Sequence, residues 1–102
     1  MSEFVKAAIT EELAPGSCKT VELSGSRIAL FNVAGSFYAM DDTCAHRGGP
    51  LGEGTLDGAI VTCPWHGWQY DVSTGACQTN PRVHLACYEV RVDGDDVTIA
   101  LE

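Results

Sequence analysis

Two short stretches of this chain hold the residues best suited to chemistry. "CAHRGGP" runs from Cys44 to Pro50 and "CPWHGW" from Cys63 to Trp68, giving C-x-H, sixteen intervening residues, then C-x-x-H. Cys44, His46, Cys63 and His66 offer two thiolates and two imidazoles. That donor set suits a tetrahedral zinc, or a two-iron cluster with different ligands on each iron. A zinc finger of this composition gathers its two cysteines in one loop and its two histidines on a helix. Here each loop supplies one of each, and Gly48, Gly49 and Gly67 follow the histidines almost at once, which argues against a helix around either. Alternation suits two metals, because each loop can give its cysteine to one iron and its histidine to the other.

The other three cysteines, Cys18, Cys77 and Cys87, have no histidine at ligand spacing and read as small buried hydrophobes. Five cysteines, an odd count with two of them beside histidines, make a poor disulfide framework and fit a reducing compartment. His84 stands in the strand-like run "RVHLACYEV" and reads as a strand residue. No nucleophile–base pair and no phosphate-binding loop accompanies these motifs.

The elements that must position the two loops read as strands. "RIALFNV" and "SFYAM" flank Ala34-Gly35 as a hairpin, and "GTL" and "AIVTC" flank Asp57-Gly58, a tight-turn dipeptide. "WQYDV" and the residues from Ala76 flank Ser73-Thr74-Gly75, while "CYEVRV" and "DVTIAL" flank Asp93-Gly94 with alternating apolar positions. "ITEELAPG" alone hints at helix, a single turn capped at Thr10 and stopped by Pro15-Gly16. Many short strands with Gly-rich turns predict an all-β fold, a small antiparallel sandwich or barrel with the Cys/His loops at one end.

Length and charge bound the rest. The 102 residues suffice for one core, so the chain reads as one domain over 1–102. A net charge of −8 argues against nucleic acid and against anionic membrane surfaces, and permits a basic protein partner. There is no apolar run of membrane-spanning length and no signal-peptide pattern in "MSEFVKAAIT", so the expectation is no membrane association and a cytoplasmic location.

"CAHRGGPLGEG" followed by "CPWHGWQYDVSTG" resembles the two ligand loops of the Rieske [2Fe–2S] family, and the resemblance extends over essentially the whole chain. It implies one [2Fe–2S] cluster held within about residues 42–82, with Cys44 and Cys63 on the inner iron and His46 and His66 on the outer one. It also implies that Gly48, Gly49 and Gly67 let backbone N–H groups approach the sulfides, that Leu51 and Trp65 are candidates for an apolar cover, and that Thr79 to Pro81 form a third loop closing over the cluster. Family members of the respiratory complexes join their ligand loops by a disulfide, whose positions here are Gly49 and Trp65. They also place a serine hydroxyl, here Trp68, and a tyrosine hydroxyl, here Tyr70, near the cluster sulfurs.

With the disulfide and the serine replaced, the chain resembles the soluble Rieske-type ferredoxins of bacterial ring-hydroxylating dioxygenase systems. The resemblance implies an electron carrier between a flavoprotein reductase and a terminal oxygenase, not a self-sufficient enzyme. Two alternatives stand beside it: the small subunit of an assimilatory nitrite reductase, and a structural zinc-binding module. Asp41, Asp42 and Glu53, the acids nearest the ligand loops in sequence, are candidates for the rim that meets a partner.

Overall fold

The computed structural model describes residues 4–45, 48–65 and 67–100, and among these the regular structure is almost entirely antiparallel strand. Ten strands form three sheets. The outer sheet pairs β1 (Phe4–Ile9) with β10 (Asp96–Ala100), and β10 with β9 (Val90–Asp93). The central sheet runs β2 (Cys18–Leu23), β3 (Ser26–Val33), β4 (Ser36–Asp41) and β8 (Cys87–Tyr88). The third joins β5 (Thr55–Asp57), β6 (Ile60–Thr62) and β7 (Gln69–Asp71).

The sequence of β3 explains why the central sheet lies between two cores. Side chains alternate across a strand, so a strand apolar at successive positions must be covered on both faces. Ile28 and Leu30 face one cluster, with Ala8, Leu13, Val21, Ala39, Val97 and Ile99. Ala29 and Phe31 face the other, with Met40, Leu51, Val61, Tyr70, Val72 and three cysteines, Cys44, Cys63 and Cys77. The second core therefore is the floor on which the Cys/His loops stand. The all-β antiparallel expectation holds, and it takes the form of stacked sheets.

Local details differ from the sequence expectations in instructive ways. The Ala34-Gly35 hairpin is present, with φ of 51° and 96°, so both residues sit in the left-handed region that a twisted two-residue turn requires. A further hairpin of the same kind, β2–β3, turns on Ser24-Gly25. The other two tight turns are displaced by one residue from the expected dipeptides. Asp57 pairs with Ile60 and Asp93 with Asp96, which leaves Gly58-Ala59 and Gly94-Asp95 as the turn residues. In each, glycine takes the first turn position with positive φ, the arrangement that favours glycine there over the preceding aspartate.

The expected helical turn is a 3₁₀ turn at Thr10–Glu12, and its cap is not Thr10. Ile9 holds the capping position, and its backbone N–H donates 2.8 Å to Glu12 Oε1. A second 3₁₀ turn, Leu51–Glu53, leads out of the first ligand loop. No helix among the described residues is long and apolar enough to cross a membrane.

Candidate metal centre

The two ligand loops are built to one plan. Cys44 N–H donates 3.0 Å to Gly49 O, and Cys63 N–H donates 2.7 Å to Trp68 O, so each cysteine closes its loop onto the carbonyl five residues on. One residue before each acceptor stands a glycine with φ of +74°, Gly48 and Gly67, where a side chain would be strained. The first loop is tied further by Gly48 N–H to Cys44 O at 2.8 Å and by the Thr43–Pro50 bridge. The β5–β6 hairpin connects the loops, and its short antiparallel register returns Cys63 to the side from which Cys44 departed.

That return brings the two sulfurs together. Cys44 and Cys63 are 1% and 2% exposed and belong to the same buried core, where the Cys44 side chain bears on the Cys63 thiol. Burial pushes the Cys63 thiol up, and the neighbouring Cys44 and Asp42 add to it; the Trp65 N–H opposes them, donating to Cys63 Sγ at 3.4 Å. Tyr70, fully buried at the centre of the same core, holds its hydroxyl 3.3 Å from Cys44 Sγ and accepts a 3.1 Å bond from Ala45 N–H. Burial first, and then the bond to Cys44, hold the phenol well above its ordinary range, so it stays a proton donor.

These features fit an iron–sulfur centre. Two soft donors sealed from water, each with an O–H or N–H directed at its sulfur, match what metal-bound thiolates require from their surroundings. Gly49 supplies the space. A Cβ there would lie 2.7 Å from Cys63 Sγ and 3.1 Å from the Trp65 ring, so the first loop can approach the second only without a side chain at that position.

A model of the Rieske [2Fe–2S] domain matches residues 3–89. The chain belongs to this family. It shares 37% identity with ferredoxin CarAc of Metapseudomonas resinovorans, across 97% of this chain and 94% of that one. It is likewise 37% identical to the biphenyl dioxygenase ferredoxin subunit of Pseudomonas sp. strain KKS102, across 94% of this chain and 90% of that protein. Among solved structures, the complex of reduced oxygenase and oxidized ferredoxin in carbazole 1,9a-dioxygenase contains a chain that superposes with a TM-score of 0.90 at 37% identity, covering 97% of this chain and 94% of that one. A Rieske domain carries one [2Fe–2S] cluster, and membership sets aside the structural zinc module.

Of the four expected ligands of the Rieske centre, the structure places Cys44 and Cys63 side by side; His46 and His66 lie outside the described residues. Tyr70 is where a sulfur-directed hydroxyl was expected. Leu51 is completely buried in the same core as Cys44 and Cys63, whereas Trp65 is half exposed beside the loops. The third loop is anchored from beneath: Asn80 N–H donates 3.3 Å to Cys77 Sγ, and Gln69 N–H donates 3.0 Å to Thr79 Oγ1. Cys77 is buried as expected, Cys18 is half-buried and donates 3.4 Å to Gly54 O, and Cys87, contrary to expectation, is exposed at the end of the central sheet. His84 pairs through a bridge with Ala76.

One residue was assigned to the wrong environment. Asp42 is 2% exposed and cannot belong to a docking rim. Its Oδ1 accepts from Thr20 Oγ1 at 2.9 Å and from Gly52 N–H at 2.8 Å, and its Oδ2 lies 3.5 Å from Arg27 Nε. An acid two residues before Cys44 carries no local signal of burial; the partners that bury it come from β2, β3 and the turn after the loop.

Proposed function

We propose that this protein is a cytoplasmic one-electron carrier that accepts electrons from a flavoprotein ferredoxin reductase and delivers them to a terminal ring-hydroxylating oxygenase. We assign Cys44, His46, Cys63 and His66 as the cluster ligands, within a cluster-binding part of about residues 42–82 of a single domain. The observation that carries the reading is the buried Cys44–Cys63 pair, with Tyr70 O–H and Trp65 N–H directed at its sulfurs. Near full-length similarity to ferredoxin components of dioxygenases supports it, and favours it over the small subunit of a nitrite reductase.

When bound, the cluster supplies reversible one-electron chemistry, at a potential that imidazole ligation raises above that of all-cysteine clusters. The chain's own residues do the rest. Cys44 and Cys63 bind from within the core and keep water from the inner side. Trp65 and Tyr70 donate to the two sulfurs, and such bonds favour the more negative reduced state. The closed backbone of both loops holds these donors with little reorganisation.

The test is a reconstituted electron-transfer chain. Purified protein should contain two irons and two acid-labile sulfides per chain, and should couple a ring-hydroxylating oxygenase to reduced pyridine nucleotide only when a reductase is present. His46→Ala and His66→Ala should lose the cluster or its characteristic spectrum. Stoichiometric zinc without sulfide would refute the assignment.

A further inference from the structure

Among the described residues Asp42 is the only buried charged side chain, and it has a defined set of partners. Its Oδ1 takes the Thr20 hydroxyl from β2 and the Gly52 N–H from the exit of the first ligand loop. Its backbone N–H donates 3.3 Å to Arg27 O on β3, and its carbonyl accepts a 2.7 Å bond from Leu51 N–H. The residue therefore joins two strands to both ends of the loop that carries Cys44. Gly52 has no room for a Cβ, which would run into Thr20 Oγ1 and the Lys19 carbonyl carbon, so the clamp is closed on its far side as well.

Among the described residues, the only formal positive charge in contact with this carboxylate is Arg27, and the contact is a weak compensator. Arg27 Nε is 3.5 Å from Oδ2, and the arginine side chain is 54% exposed. It borders a groove of about 430 Å³ that Asp42, Thr43, Pro50, Glu53 and Trp65 also line. Water in such a groove screens the guanidinium, while the carboxylate at its wall is only 2% exposed and sits largely in protein, where fields reach further. The field of Asp42 does reach its neighbours: the Cys18 thiol is pushed up first by burial and then by this charge. The same charge also adds to the upward push on the Cys63 thiol, so Asp42 contributes a negative field at the base of the first Cys/His loop.

We infer that Asp42 and Arg27 form a positioning and tuning pair for the cluster, the buried carboxylate holding the reduction potential down and the half-exposed guanidinium offsetting part of that effect. The inference rests on the ligand reading above. Reduction adds one electron to a centre that is neutral when oxidised, so a fixed negative charge beside it disfavours the reduced state and a fixed positive charge favours it. Neither residue is placed among the ligands, and neither exchanges a proton or electron in this role.

The experiment is voltammetry of the cluster-loaded protein, with an electrode as the electron donor and visible spectra recorded in parallel. Asp42→Asn keeps an oxygen acceptor for Thr20 and Gly52 and removes the charge; the potential should rise. Arg27→Gln should shift it the opposite way by less, and the Asp42→Asn shift should survive about 0.5 M salt because the group is buried. Thr20→Val, which removes a bond to Oδ1 and no charge, should lower thermal stability while barely moving the potential. Potentials unmoved in both charge variants with spectra intact would overturn the inference alone, as would shifts of the same sign, or a Thr20→Val shift equal to that of Asp42→Asn. If Asp42→Asn fails to hold a cluster, Arg27→Gln decides: a lowered potential supports the pair and an unchanged one refutes it. Wild-type protein without iron and sulfide would overturn the ligand reading and this inference with it.

Discussion

The hydroxyl of Tyr70 lies between Cys44 Sγ, at 3.3 Å, and the N–H of Ala45, at 3.1 Å. The amide already donates to the phenol oxygen, and Cys44, as a proposed metal ligand, would have no proton to give, so the hydroxyl would be the donor toward sulfur. Tyr70→Phe removes that donor and little volume. The potential should fall, by on the order of 50 mV if the bond is worth about 1 kcal/mol more to the reduced state, and voltammetry reads this directly. An unchanged potential would mean that Tyr70 serves only to fill the core.

Gly49 gives a structural prediction. Its Cβ position lies 2.7 Å from Cys63 Sγ and 3.1 Å from Trp65 Cγ, atoms held by a loop that is closed on itself. Gly49→Ala should therefore force the loops apart. Iron and sulfide per chain should drop well below two each, whereas Gly58→Ala, at a turn where a Cβ meets nothing within 4 Å, should keep its cluster and lose stability only through its positive φ. Equal iron content in Gly49→Ala and wild type would contradict the close approach of the loops.

Cys18 predicts a pH dependence. Burial, followed by the charge of Asp42, raises its thiol above the ordinary value, so the folded state holds the proton at a pH where the unfolded chain has released it. Stability from this group is complete below the unfolded value of 9.0 and is lost as pH rises through the higher folded one. Thermal unfolding followed from pH 7 to 10.5 should show a steeper alkaline decline in wild type than in Cys18→Ala. The variant should also be less stable at neutral pH by about 1 kcal/mol, for loss of the thiol's bond to Gly54 O. Parallel declines would show that Cys18 does not titrate differently in the fold.

Docking should depend on charge, but on fewer residues than the sequence suggested. With Asp42 buried, Asp41 and Glu53 remain beside the first loop, Glu53 exposed and Asp41 partly so. Asp41 Oδ1 also accepts the Thr43 N–H at 3.0 Å, so Asp41→Asn is the suitable change, paired with Glu53→Gln. Transfer to the oxygenase should slow at about 0.01 M salt, converge with wild type near about 0.5 M, and leave the potential nearly unchanged. Stopped-flow rates that respond neither to salt nor to the double substitution would point to apolar contact around the half-exposed Trp65.

Much of the centre was legible in the chain because its determinants are local. The proposed ligands Cys44, His46, Cys63 and His66 and their spacing are read directly along the chain, and the glycines that let the loops fold back follow within three residues of each histidine. The same is true of hairpins with strong turn chemistry, although Asp57-Gly58 and Asp93-Gly94 marked their turns one residue early. Ser24-Gly25, a weaker signal, closes a hairpin just as well once β3 is held on both faces.

Burial was decided elsewhere. Asp42 and Asp41 are adjacent and chemically identical, yet one is sealed beneath the first loop and the other meets water, because Thr20, Arg27 and Gly52 converge on only one of them. Leu51 sinks into the floor and Cys87 surfaces for the same kind of reason. Side-chain type and spacing state which atoms can bind a metal; which charges and thiols lie near it depends on contacts between residues far apart in sequence, and those exist only after the three sheets have stacked.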